Sequence, residues 1–138
     1  MTETDKKNVE FVTQCFTKIS EAVNIDESLN DYFTDDVTWE THAPTDIPIG
    51  GVFRGIEGVR NFIRNFRETY HVESDTIIHV AAQDDYVYIF GNERVLITPS
   101  KRVHERPYCM VVRFHDGKIC ELHGFTDSAA LAEAYSNN

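Results

Sequence analysis

The sequence predicts an α+β fold, with helices packed on one face of a strongly curved antiparallel sheet. Two observations carry this. Apolar residues recur at helical spacing in the first half of the chain, while the second half alternates along long strands separated by turn signals. The order, helices first and consecutive hairpins after, is that of an α+β domain rather than a βαβ repeat.

Val9, Val12, Phe16, Ile19 and Val23 recur in steps of three and four, which predicts a first helix with Thr4 or Asp5 as its cap. A short helix fits residues 26–33, capped by Asp26 and turning Leu29, Tyr32 and Phe33 inward. Asp35 and Asp36 lead into a strand over residues 37–41. A loop containing Pro44, Pro48, Gly50 and Gly51 runs on to Phe53. After the Arg54-Gly55 turn comes the clearest helix, striped by Ile56, Val59, Phe62, Ile63, Phe66 and Tyr70. Strands follow over residues 76–82, 86–98, 103–114 and 119–125. They are punctuated by Asp84-Asp85, Pro99-Ser100 and His115-Asp116-Gly117. Asp127 and Ser128 can cap a last helix through residues 129–135.

The chain has 138 residues, 41% of them hydrophobic and 12% aromatic, enough for one domain with a true core across residues 1–138. Its net charge of −10 disfavours nucleic acid and anionic membranes as partners. Cys15, Cys109 and Cys120 form no close pair and read as reduced thiols in a cytoplasmic protein, two of them in the core. The polar stretch from Met1 to Asn8 does not read as a signal peptide, and no run is long enough to span a bilayer. Strands of ten or so residues coil strongly, and a coiled sheet wrapped around a helix leaves a cone with an open end. Pro107 inside a strand marks an edge or a bulge.

The runs Tyr32-Phe33-Thr34-Asp35-Asp36-Val37-Thr38-Trp39-Glu40 and Gly51-Val52-Phe53-Arg54-Gly55-Ile56-Glu57-Gly58-Val59 resemble the nuclear transport factor 2-like superfamily. The segments Arg113 to Ile119 and Glu121 through Asp127 to Leu131 extend the resemblance over nearly the whole chain. The match is closest to SnoaL-like and ketosteroid-isomerase-like proteins. It implies a cone-shaped, cystatin-like α+β barrel, usually a homodimer, with an apolar cavity and no cofactor. It also implies isomerase or polyketide-cyclase-like chemistry as one outcome among several. The isomerase machinery itself does not carry over. The base position falls at Thr41, the oxyanion-hole tyrosine at Phe16 or Thr17, and the protonated aspartate near Met110. Steroid isomerisation by that triad is therefore not expected.

Alternation assigns faces. Tyr108, Met110, Val112 and Phe114 point toward the cone, as do Cys120, Leu122, Gly124 and Thr126. Glu121 and His123 form an outer-face pair, solvated or at a dimer interface. Glu93 stands in a stripe with Val87, Ile89, Val95 and Ile97, where burial would bring its pKa toward neutrality. Its structural alternative is a cross-strand salt bridge to Arg106 or another cation. Asp127 is the second acid/base candidate, with capping of the last helix as its alternative; Tyr108 and His104 are the charge-stabilising candidates. Trp39, Thr41, His42, Phe62, Phe66, Met110 and Leu122 are the expected ligand contacts. His71, His79 and His115 read as surface residues, and the six histidines show no HxH, HxxxH or HExxH spacing, so no metal site is expected. GxSxG and Gly-rich phosphate loops are absent.

Two functions fit. One is a cofactor-independent acid/base enzyme acting on a small, largely apolar carbonyl compound. The other is a ligand-binding or dimerising module without turnover.

Overall fold

The computed structural model describes residues 1–21 and 24–136. Helix α1 (Glu3–Ser20) starts two residues before the expected cap. The Asp5 N–H donates to Thr2 Oγ1 (3.0 Å) and the Thr2 N–H donates to Asp5 Oδ2 (2.9 Å), a reciprocal capping box. Val12 and Ile19 of the predicted stripe are buried, as is Cys15 beside them, while Val9 and Phe16 are partly buried; Val23 lies outside the described residues. The predicted helix over residues 26–33 is a single 3-10 turn, Asp26–Ser28, continued by α2 (Leu29–Tyr32). Phe33 is already extended and opens β1 (Phe33–Thr41).

Strand β2 (Gly51–Arg54) hairpins against β1, and α3 (Gly55–Thr69) then carries the chain across the sheet. Tyr70 ends the predicted helical stripe but is extended, at φ −118° and ψ 138°. An aromatic residue is buried equally well as the last helical or the first strand position, so periodicity alone misplaces it. Strand β3 (Tyr70–Gln83) therefore begins six residues earlier than the pattern indicates. From there β4 (Tyr86–Ile97), β5 (Arg102–His115) and β6 (Lys118–Thr126) return as successive hairpins, and α4 (Ser128–Tyr135) closes the described chain.

The six strands run in the order β2-β1-β6-β5-β4-β3. One pairing departs from the antiparallel expectation: β6 docks parallel to β1, with Trp39 opposite Leu122 and Thr41 opposite Gly124. The cause is the route of the chain. Helix α3 takes it from β2 to the far edge at β3, and the hairpins then walk back until the last strand meets the first. The curved sheet does not close on itself; β2 and β3 remain its edges.

Two hairpins turn on the two-residue loops Asp84-Asp85 and Asp116-Gly117, each with positive φ at both residues (53° and 67°; 50° and 80°). That geometry matches the twist of the flanking strands. Pro107 pairs with Asn92 on β4, one residue beyond the last β5–β6 pair, Tyr108 with Thr126. Its missing N–H thus faces the side where β6 has ended.

Helix α1 lies against β3 and β4, while α3 lies against β1 and β2. Between them and the sheet sits the core: Val12, Cys15 and Ile19 from α1, Val59, Phe62 and Ile63 from α3, and Val37, Val87, Ile89, Val95, Ile97, Val112 and Leu122 from the strands. Cys15 and Cys120 are buried and Cys109 half-buried, all three as free thiols. Among the described residues no helix is long and apolar enough to cross a membrane.

Candidate functional site

Packing is incomplete at one end of this core. The helices and sheet diverge there and leave a hollow of about 140 Å³. That is close to the space that takes up a single benzene ring in an apolar protein interior. Its walls come from α1 (Phe16, Ile19), β1 (Trp39, Thr41), α3 (Phe62, Phe66) and the strands β3 to β6. Trp39 is stacked on Phe62 at 4.0 Å between ring centroids and on Phe16 at 6.0 Å. This aromatic tier fixes the width of the hollow.

The polar groups gather on the β3–β4–β5 side. Glu93 shares the inner face with Val87, Ile89, Val95 and Ile97, all buried. Its register partners are Asp75 on β3 and Arg106 on β5. The expected salt bridge to Arg106 does not form: the Arg106 guanidinium turns to Asp127 (Nε to Oδ2, 3.6 Å). Among the described residues no cation lies within ion-pair distance of Glu93. Burial raises the Glu93 carboxyl from the ordinary value near 4.5 to about 7, and the neighbouring Asp75 carboxylate adds to the rise.

The Tyr108 hydroxyl donates to Asp75 Oδ1 at 2.7 Å. Burial and this hydrogen bond hold the Tyr108 phenol above its usual range, so it remains a proton donor. Tyr70, also in the wall, is held up by burial and by Glu93. The hollow thus presents one carboxyl poised near neutrality beside two protonated phenols and a second carboxylate.

Asp75 is the residue that alternation misses. Strand β3 carries register shifts between Val72 and Ser74 and again between Ile77 and His79. The first bulge inserts an extra residue, so Val72 and Asp75 face the same side although their spacing is odd. The second restores the pattern for Val80 and Ala82. Tyr70 is missed for a different reason, its assignment to the preceding helix. No sequence signal marks either bulge.

A glycine makes the tyrosine contact possible. The Tyr108 ring lies across Gly91, its register partner on β4, and a β-carbon at Gly91 would sit 2.7 Å from the ring and hydroxyl. Gly91→Ala is therefore expected to displace Tyr108 and break its bond to Asp75. The shift would appear as a changed Tyr108 phenol titration by ultraviolet absorbance. An unchanged titration would mean that the ring has room to spare.

The expected contacts Trp39, Thr41, Phe62, Phe66, Met110, Glu93 and Tyr108 all line the hollow. The others lie elsewhere. Leu122 is fully buried beneath the floor. Asp127 caps α4, accepting from the Ala130 N–H at 3.0 Å, and this bond holds its carboxyl below the ordinary range. His104 is buried behind the wall, with Nε2 3.3 Å from Thr126 Oγ1; burial lowers its pKa and keeps it neutral. His42 stands on the outer face of the sheet beside His123.

An unclosed, curved six-stranded sheet backed by helices is the nuclear transport factor 2-like fold. The SnoaL-like domain family matches residues 9–122, and the chain belongs to that family. Among solved structures, a protein from Jannaschia sp. CCS1 that carries the name SnoaL-like polyketide cyclase superposes with a TM-score of 0.84 at 20% identity, over 100% of this chain and 97% of that one. A nuclear transport factor 2-like protein from Burkholderia xenovorans gives 0.83 at 18% identity, over 96% and 98%. A protein of ketosteroid isomerase-like fold from Catenulispora acidiphila, in complex with trimethylamine, gives 0.70 at 20% identity, over 91% and 92%. No functionally curated protein matches the chain in sequence.

Proposed function

We propose that the protein binds a small, largely apolar carbonyl compound in the hollow and that Glu93 moves a proton on it, in isomerase- or cyclase-type chemistry without a cofactor. The observation that carries this reading is a carboxyl raised to about 7 within an apolar wall, beside phenols that stay protonated. In such a reaction the Glu93 carboxylate takes a proton from the carbon next to the carbonyl. The electron pair passes to the carbonyl oxygen, where Tyr108 or Tyr70 donates a hydrogen bond to the developing charge. Where a carbon–carbon double bond adjoins that carbon, the carbonyl re-forms, the double bond shifts, and the same carboxyl returns the proton to its far carbon, so the step balances within substrate and side chain. The usual steroid-isomerase positions, Thr41, Phe16 and Met110, also line the hollow and supply no proton-transfer group, which sets this chemistry apart from that triad. The size of the hollow favours one ring over a fused steroid skeleton.

The test pairs a carboxyl-carbon NMR titration with a thermal-shift screen of single-ring carbonyl compounds, each stabilising hit then being assayed for turnover. Glu93 is expected to titrate near 7, and bound compounds to raise Tm. Titration near the solvated value of about 4 would remove the proton-transfer role. Stabilisation without product would leave a binding module. A homodimer in the cytoplasm is the assembly we infer, the dimer supported by Tyr88 and Phe90 exposed on the outer face of β4.

A further inference from the structure

The outer face of the β1–β6 seam holds a second cluster. Glu40 lies on that face of β1 and His42 follows the strand's last residue, its N–H donating to the Gly124 carbonyl at 2.9 Å; the parallel pairing sets His123 directly opposite Glu40. His42 Nε2 and His123 Nδ1 stand 3.1 Å apart. Glu40 Oε1 lies 3.9 Å from the first and 3.7 Å from the second. We propose that Glu40, His42 and His123 form a binding site for a divalent transition-metal ion of the zinc type.

The geometry is close to what such an ion requires. Two nitrogens bound at 2.0–2.1 Å in a tetrahedron are separated by about 3.3–3.4 Å. The two imidazoles are already near that spacing, and a small rotation brings in the carboxylate. Imidazole with carboxylate is a ligand set suited to zinc and its neighbours rather than to calcium or magnesium. Solvent completes the coordination, since all three side chains are about one-third exposed.

The surrounding groups orient the ligands. Glu121 Oε2 accepts from His123 Nε2 at 3.3 Å, which leaves Nδ1 as the lone pair facing the site. Arg113 in turn donates to Glu121 Oε1 at 2.9 Å, which fixes the position of that carboxyl group. A carboxylate behind a metal-bound histidine fixes the tautomer and raises ligand basicity. On the other ligand, the Phe125 ring stacks on His42 at 4.3 Å and 4° between planes. No local spacing marks this site, because its ligands lie on strands at opposite ends of the chain.

The test uses the full, tag-free chain, with Zn2+ followed by titration calorimetry and Co2+ by the visible absorption of its tetrahedral complex. One ion per chain is expected. His42→Ala and His123→Ala each lower affinity by at least about tenfold, and Glu121→Gln, outside the coordination sphere, by about tenfold. His79→Ala and His115→Ala, at exposed positions elsewhere, leave binding unchanged. Tm of each metal-free variant verifies its folding. Wild-type protein that takes up neither ion, or a His42→Ala/His123→Ala double variant that binds as the wild type does, overturns the proposal.

Discussion

Glu93→Gln is expected to stabilise the protein in mildly alkaline solution while removing its proton-transfer capacity. A carboxyl whose native pKa lies above its unfolded value binds its proton more tightly in the native state. Its neutral form is therefore favourable at acid pH, and stability is lost as pH rises from about 4.5 to about 7. The full loss is at most about 3 kcal/mol, and less to the extent that water enters the hollow. Glutamine keeps the shape without the charge, and its amide can donate to Asp75. The variant should exceed the wild type in urea resistance at pH 8 and converge with it at pH 4. For a chain of this length the difference is on the order of 10 °C in Tm. Any turnover the wild type shows should fall by about 10²–10⁴-fold. Equal stabilities at pH 8 would mean that Glu93 ionises without cost, as an ordinary surface acid does.

The second large effect is at Trp39. Its side chain is 4% exposed and forms the centre of the Phe16–Trp39–Phe62 tier. Trp39→Ala should cost about 3–5 kcal/mol through lost burial and the cavity left behind. Trp39→Phe, which keeps a stacked ring, should cost much less. Chemical denaturation measures both, and ligand screening adds a second readout: the alanine variant should accept larger rings than the wild type does. A loss below about 1 kcal/mol would show that Phe62 and Phe16 close over the gap by themselves.

Residue pattern carries the fold a long way. The α3 stripe, the paired turn residues at Asp84-Asp85 and Asp116-Gly117, and the long alternating strands are local signals, and local physics writes them into the chain. The parallel β1–β6 pairing is not local. It follows from where α3 delivers the chain, which no window of residues records. The same division holds at the site. Glu93 is legible because one charge in a β-branched stripe is conspicuous. Asp75 is hidden by a bulge that reverses the alternation meant to find it. Asp127 and His104 qualify as candidates by residue type, yet backbone capping and a buried hydroxyl contact claim them. The outer histidines illustrate the same limit, since a spacing rule sees only neighbours along the chain.

The parallel seam between β1 and β6 joins residues 33–41 to residues 119–124. Thr41 on one side and Gly124 and Thr126 on the other are walls of the same hollow. Neither strand alone encloses anything. A guest bound there, as proposed, would touch both strands at once, and its binding would stabilise their pairing against unfolding.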